Sequence, residues 1–204
     1  CKKLVGILPK KHEVVYLTNS GTEAIEGALK LAKRATQRSG LIAAQHSYHG
    51  STHGALSLLG YEHQKKAYRP LLPGVRFLHF NEEKDLDQID QTTAGVILET
   101  IQGGAGFILP QNNYLKKVKK RCKAVGALLI LDEIQPGFGR TGKMFGFEHY
   151  GVVPDIVVMG KALGGGLPIG AFSASKKLMQ KLEDEPKLGH ITTFGGNPVI
   201  ATAA

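Results

Sequence analysis

Residues 127–135 of this 204-residue chain read Ala-Leu-Leu-Ile-Leu-Asp-Glu-Ile-Gln, an unbroken apolar run that ends on two carboxylates. Such a run predicts a strand that is buried on both faces of a sheet. Short apolar or β-branched runs recur on both sides of it. We therefore expect seven strands, at Glu13–Leu17, Leu41–Ala44, Val75–Phe80, Gly95–Leu98, Ala127–Leu131, Ile156–Met159 and Gly170–Ala174.

Helical patterns alternate with these strands. The most clearly marked helix follows Ser20-Gly21-Thr22-Glu23, a capping box that places the helix start at Thr22. Alternating strands and helices predict an α/β fold with a mostly parallel sheet and helices on both faces. Neither a repeat nor a linker-like stretch divides residues 1–204, so we expect one domain. The expected helices are Thr22–Arg38, Glu82–Gln91, Asn113–Val125 and Ser175–Glu183.

The composition excludes several classes of protein. Hydrophobic residues make up 42% of the chain, which excludes a disordered tail, and no apolar run reaches the roughly 20 residues that cross a bilayer. Cys1 and Cys122 lack metal or disulfide-framework spacing, which indicates free thiols in a reducing compartment, and we expect a cytoplasmic protein. Because the chain opens without methionine and stops at Ala204 in a helix-like stretch, we expect a piece of a longer protein.

Two further features leave alternative functions open. The net charge of +9 would suit a nucleic-acid-binding module, but the basic run at 116–123 resembles the solvated face of a helix. The stretch Gly137–Lys143 nearly matches a nucleotide-binding P-loop, although Met144 stands where the motif needs a hydroxyl for Mg²⁺. Three nearby histidines match no zinc motif, and we expect no metal there: His46, His49 and His53.

Polar and charged residues follow several of the expected strands. In a parallel sheet the carboxyl ends of the strands meet at one edge, where ligands bind. We therefore expect a site at that edge, formed by Ser20, Gly21, Thr22, Tyr48, His49, Glu99, Asp132 and Lys161.

The chemistry of this set indicates a phosphorylated aldehyde. A helix that starts at Ser20-Gly21-Thr22 offers free N–H groups to a phosphate, although a plain capping box explains the same residues. Lys161 follows a buried strand, and a partly desolvated lysine is a nucleophile towards carbonyls, although pairing with Asp132 is an alternative. A phosphate cradle, an amine and a buried carboxylate together fit pyridoxal 5′-phosphate (PLP).

Several motifs also resemble those of one enzyme family, in the same order along nearly the whole chain. The resemblance is to class III (ω-type) aminotransferases, such as acetylornithine, ornithine and 4-aminobutyrate aminotransferases, which implies the large cofactor-binding domain of fold-type-I PLP transferases. The motifs are Ser20-Gly21-Thr22-Glu23-Ala24, Tyr48-His49-Gly50, Asp132-Glu133-Ile134-Gln135, Gly137–Gly142, Pro154-Asp155-Ile156, Gly160–Gly170 and Thr193–Pro198.

The resemblance implies roles for single residues. Lys161 is expected to form a Schiff base with PLP and to shuttle the substrate proton, while Asp132 keeps the pyridine nitrogen protonated. Gln135 is expected to bond the ring hydroxyl, with Tyr48 and Ile134 against the two ring faces. The remaining expected cofactor contacts are Ser20, Gly21 and Thr22 at the phosphate, His49 and Glu99 near the ring, and Thr193 on the cofactor of the neighbouring subunit of a homodimer.

The implied activity is ping-pong transfer of an amino group from an amino acid or amine to a 2-oxo acid. A PLP-dependent aminomutase or decarboxylase is the alternative within the family. Two residues depart from the ornithine and acetylornithine pattern, since Ser51 replaces a carboxylate-binding arginine and Gly104 a glutamate. These departures open the substrate to a monoamine, a diamine or a differently held amino acid. For Arg140 we expect a structural role.

Overall fold

The computed structural model describes residues 1–183 and 186–204. It contains a seven-stranded sheet in the spatial order β1-β7-β6-β5-β4-β2-β3. All seven strands expected from the sequence are present, with ends shifted by two residues at most. The strands are β1 (Val14–Thr18), β2 (Gly40–Ala44), β3 (Val75–Leu78), β4 (Thr93–Glu99), β5 (Leu128–Asp132), β6 (Ile156–Met159) and β7 (Gly170–Ala174).

The five strands β2, β3, β4, β5 and β6 are parallel to their neighbours among one another, as expected, and β7 is the exception. It pairs antiparallel with both β1 and β6, because the chain turns back on itself after β6 through a short loop. The parallel register places Glu99 of β4 beside Asp132 of β5, and Asp132 beside Val158 of β6. The two carboxylates predicted to meet at one sheet edge therefore lie on adjacent strands.

The helices are shorter and more numerous than expected. Glu82–Gln91 is wrong as an α-helix, because only the 3₁₀ helix Glu83–Gln88 forms, with Leu86 as its one buried residue. Ser175–Glu183 divides into a short α-helix and a 3₁₀ turn, Gln180–Leu182. The α-helices are α1 (Lys2–Ile7), α2 (Gly21–Thr36), α3 (His53–Ser57), α4 (Glu62–Lys65), α5 (Tyr114–Val125), α6 (Lys176–Met179) and α7 (Pro198–Ala203), and the other 3₁₀ helices are Lys66–Tyr68, Gly146–Tyr150 and Lys161–Gly164.

Helices cover both faces of the sheet. On one face, α2 packs through Ile25 and Leu29 against a cluster that includes Phe172 of β7. On the other face, α5 packs through Leu115 and Val118. Because side chains alternate along each strand, every central strand contributes to both clusters. This explains the unbroken apolar run of β5.

The basic run at 116–123 lies on α5. Lys119 binds Asp155, Lys117 pairs with Glu83, and the Arg121 guanidinium donates to the Ile89 carbonyl, so part of the positive charge is neutralised locally. No helix in the described ranges is long and apolar enough to cross a membrane.

Candidate active site

A cavity of about 420 Å³ opens at the carboxyl edge of the parallel strands. This is within the range of small-molecule sites. Nine of the eleven expected site residues line it, and the two that do not are Ser20 and Thr193. The lining residues are Gly21, Thr22, Tyr48, His49, Gly50, Ser51, Glu99, Ile101, Gly104, Asp132, Ile134, Gln135, Pro136 and Lys161.

The first turn of α2 forms one part of the cavity wall. Ser20 caps the helix, because its Oγ accepts from the Glu23 amide at 3.3 Å. The amides of Gly21 and Thr22 have no intrahelical acceptor and, within the described ranges, no other acceptor, so they are free for an anion. The expected capping box is only half formed, because the Glu23 carboxylate accepts from the Asn19 amide at 2.7 Å and not from the Ser20 amide. The serine cap leaves the two amides open to the cavity. A Cβ on Gly21 would lie 2.7 Å from Ile134 Cδ1, so a larger residue here would require the Ile134 side chain or the helix start to move.

Asp132 ends β5 and is almost fully buried. Its Oδ2 lies 2.8 Å from His49 Nδ1, and its Oδ1 accepts from the Ile134 amide at 3.0 Å. Its partner is therefore His49, and the alternative of an Asp132–Lys161 pair is wrong. The second ring nitrogen of His49, Nε2, is buried and has no partner in the described residues.

Glu99 lies beside this pair at the end of β4 and is 8% exposed. Its two oxygens accept from the amides of Tyr48 and Gly103, each at 3.3 Å. Burial raises the pKa of Glu99 to about 7, with a smaller rise from Asp132 and an opposing effect from His49. Glu99 therefore holds the backbone of Tyr48, while the Tyr48 ring is 49% exposed at the cavity.

Lys161 starts the turn after β6, and its backbone has a φ of 44°, in the left-handed region. Its Nζ lies 3.4 Å from Gln135 Oε1, and the side chain is exposed. The expectation that burial desolvates this lysine is wrong, because Lys161 is exposed even though it follows a buried strand. A left-handed conformation is costly for a residue with a Cβ and recurs at functional sites.

Two residues and one loop that the sequence analysis singled out do not belong to the cavity. Thr193 is exposed and lies apart from the lining residues, and Arg140 is also exposed. The loop Gly137–Lys143 has no P-loop geometry, because Gly139 and Gly142 form left-handed turns and no helix follows directly. The Lys143 ammonium instead donates to the Glu148 carbonyl.

Sequence reasoning gave no role to Glu133, which is a buried carboxylate beside the site. The Glu133 side chain accepts from Thr100 Oγ1 at 2.5 Å and from the amides of Gly146 and Phe147 at 2.7 and 2.9 Å. Burial raises its pKa to about 7. Glu133 thus ties the segment after β5 to the loop before Gly146, which supports its neighbours Asp132 and Ile134.

Comparisons with known proteins agree with this geometry. The family described as Aminotransferase class-III matches residues 1–204. The chain belongs to this family. Its relatives include a [LysW]-aminoadipate semialdehyde/glutamate semialdehyde transaminase of Sulfurisphaera tokodaii, 42% identical over 99% of this chain and 51% of the relative. An acetylornithine aminotransferase of Lactiplantibacillus plantarum is 44% identical over 98% of this chain and 51% of its own length. A putrescine aminotransferase of Pectobacterium atrosepticum is 46% identical over 100% of this chain and 46% of its own length.

Solved structures give the same result. The ornithine aminotransferase of Toxoplasma gondii superposes with a TM-score of 0.92 at 31% identity and covers 100% of this chain and 49% of its own. A transaminase of the marine bacterium Virgibacillus superposes with a TM-score of 0.90 at 26% identity, and the match covers 98% of this chain and 50% of that protein. The chain therefore spans about half the length of the relatives that it matches, and its fold is that of fold-type-I PLP-dependent transaminases.

The cavity of this class-III chain fits the PLP that the family uses. The free amides at the start of α2 suit the phosphate, and a Cβ on Gly21 would fill space beside that cradle. The Asp132 carboxylate, which is held at the cavity by its hydrogen bond to His49, suits a protonated ring nitrogen. Lys161 and Gln135 lie at the same cavity with a free amine and an amide. The backbone amides therefore match the phosphate of the cofactor, the carboxylate matches its pyridine nitrogen, and the lysine amine matches its aldehyde.

Proposed function

We propose that the protein is a PLP-dependent aminotransferase that moves an amino group from an amino acid or an amine to a 2-oxo acid. One observation carries the proposal: a single cavity brings together the free N-terminus of α2, the buried carboxylate of Asp132 and the exposed amine of Lys161. The class-III family and its aminotransferase relatives support it.

When bound, PLP supplies an aldehyde that captures amines and a ring that withdraws electrons. The chain holds it at three points. The Gly21 and Thr22 amides and the positive end of α2 bind the phosphate. Asp132 would hold the ring N–H, and opposite charges about 3 Å apart attract by roughly 5 kcal/mol at an effective dielectric near 20, before desolvation. Gln135 orients the ring hydroxyl.

Lys161 performs the covalent and proton-transfer work. Its amine would be the attachment point for the cofactor aldehyde, and the free amine would act as the base and acid that moves the substrate proton. Its exposure and its place in the cavity lining leave the amine reachable by the cofactor and by the substrate. The Gln135 oxygen at 3.4 Å keeps it directed into the site.

The amino donor is the open part of the proposal. Ser51 and Gly104 put neutral residues on the cavity wall, at the positions where the resemblance to ornithine and acetylornithine aminotransferases implies an arginine and a glutamate, and the Ser51 hydroxyl lies 3.1 Å from the Tyr48 hydroxyl. This favours a monoamine, a diamine or a differently held amino acid over ornithine. We further propose a cytoplasmic homodimer in which the exposed Thr193 reaches the phosphate in the neighbouring subunit.

Borohydride reduction followed by peptide mapping tests the function. A yellow protein whose cofactor becomes fixed to Lys161 supports it, whereas an intact protein that takes up no PLP contradicts it. Lys161→Ala is expected to retain some PLP through the phosphate cradle but to lose covalent fixation and turnover. Lys177→Ala, on the distant α6, is the matched control. Amino transfer to pyruvate or 2-oxoglutarate separates an aminotransferase from an aminomutase or a decarboxylase.

A further inference from the structure

A chain of hydroxyl groups connects the first turn of α2 to the loop that carries Tyr48. The Thr22 and Thr52 hydroxyl oxygens are 2.8 Å apart, and Thr52 Oγ1 lies 2.5 Å from Glu26 Oε1. The Thr52 amide also points at Thr22 Oγ1, at 3.4 Å. Thr22 lines the cavity, whereas Thr52 and Glu26 do not.

The directions of these hydrogen bonds are fixed by the carboxylate. Glu26 Oε1 accepts, so the Thr52 hydroxyl donates its single proton to Glu26. Thr52 Oγ1 must then accept from the Thr22 hydroxyl. The Thr22 proton is thus committed to Thr52, and the Thr22 side chain has no donor left for an anion in the cavity. The phosphate cradle consists of backbone amides.

Glu26 also holds the start of α3. The same oxygen, Oε1, accepts from the Ala55 amide at 3.0 Å, which is one of the amides at the start of that helix. Two glycines allow this close packing: a Cβ on Gly54 would collide with the Glu26 carboxylate, and one on Gly50 would collide with the Thr22 hydroxyl. The loop that carries Tyr48 is therefore pressed directly against α2.

We infer that Glu26 and Thr52 are positioning residues for the cofactor: through the Thr22 hydroxyl they lock the amide cradle of α2 to the loop that carries Tyr48. The inference rests on the proposed function. It assigns the effect to hydrogen bonding, because a negative charge near the phosphate would by itself weaken binding. The acceptor oxygen of Glu26 is what matters, and its charge is not.

Matched substitutions separate these contributions. Thr52→Val removes the hydroxyl at nearly constant shape, whereas Thr52→Ser keeps it. Glu26→Ala removes the acceptor, whereas Glu26→Gln keeps an Oε1 for both Thr52 and Ala55. We expect Thr52→Val and Glu26→Ala to weaken PLP binding about tenfold, as for the loss of one hydrogen bond, and the two conservative variants to stay within about twofold of wild type.

Equilibrium dialysis of the intact protein against PLP and against pyridoxal, which lacks the phosphate, is the experiment. A positioning role lowers the ratio of PLP to pyridoxal affinity in Thr52→Val, and a purely structural role leaves that ratio unchanged. Thr22→Ala combined with Thr52→Val is expected to cost no more than Thr52→Val alone, because both break one chain of bonds. Thermal melting of each apoprotein checks folding, and if Glu26→Ala does not fold, the Thr52 pair decides.

The outcomes distinguish this inference from the proposed function. Wild-type protein that binds no PLP overturns the function and the inference together. Wild-type protein that binds PLP, with Thr52→Val showing an unchanged affinity ratio, overturns the inference alone. A loss in Glu26→Gln as large as in Glu26→Ala also overturns it, because the effect would then arise from charge.

Discussion

The His49 ring and the Asp132 carboxylate are joined by a 2.8 Å hydrogen bond, although 83 residues separate them in the sequence. The His49 side chain is fully buried, and the Asp132 side chain is 5% exposed. His49 Nδ1 takes one carboxylate oxygen and the Ile134 amide takes the other, so the carboxylate is held in one orientation at the cavity. A pyridine nitrogen placed there would meet a pre-oriented acceptor.

We predict that Asp132→Asn retains PLP but lowers kcat at least about 100-fold, because an amide does not keep the ring nitrogen protonated. The magnitude follows from losing one preorganised electrostatic contact in a site. Steady-state kinetics with saturating PLP checks this, together with the absorbance of bound cofactor. A kcat within a few-fold of wild type would contradict the role given to Asp132.

For His49→Asn we predict a smaller loss of kcat and a protein less stable by about 1–3 kcal/mol, since one oxygen of a buried carboxylate loses its donor. Urea unfolding measures the stability. His63→Asn is the control, because His63 is an exposed residue of α4. Equal stability of the two variants would show that the His49–Asp132 bond contributes little.

The sequence predicted the strands and most of the site for the same reason. Both depend on short-range patterns: buried runs such as Ala127–Leu131 and the residue that follows each run. The bond between His49 and Asp132, and the Glu26 contacts of the next loop, depend on how separate segments pack, which no local pattern contains. The prediction that Lys161 is buried failed for the same reason. Its left-handed backbone conformation depends on the turn that it starts and not on the apolar strand before it.

Glu99 gives a prediction about pH. Its folded-state pKa, raised by burial to about 7 from an ordinary 4.5, means that the folded protein binds this proton more tightly than the unfolded chain does. The free energy of unfolding therefore decreases as pH rises through the window from about 4.5 to 7. We expect Glu99→Gln to lose less stability than wild type between pH 5 and 8, whatever other groups contribute. Parallel pH dependences of melting temperature for the two proteins would rule this out.

Glu133→Gln should be costly for a geometric reason. Three donors, from Thr100, Gly146 and Phe147, converge on the carboxylate, and an amide NH₂ in its place would face at least one of them. We expect a loss of about 1–3 kcal/mol in the free energy of unfolding. Glu82→Gln, at an exposed ion pair with Lys84, should change stability by less than about 1 kcal/mol. Comparable losses in the two variants would contradict the proposed anchoring role.

The packing of Gly21 against Ile134 yields a prediction that links backbone shape to cofactor binding. In Gly21→Ala the new Cβ would lie 2.7 Å from Ile134 Cδ1, so either Ile134 or the cradle of α2 must move. We expect weaker PLP binding, and we expect Ile134→Val, which removes the Cδ1 atom, to restore part of it in the double variant. Gly6→Ala is the matched control, because a Cβ there meets nothing within 4 Å. Equilibrium dialysis of wild type, Gly21→Ala, Ile134→Val and the double variant against PLP gives the interaction free energy between the two residues. Additive effects of the two substitutions would show that the residues act independently.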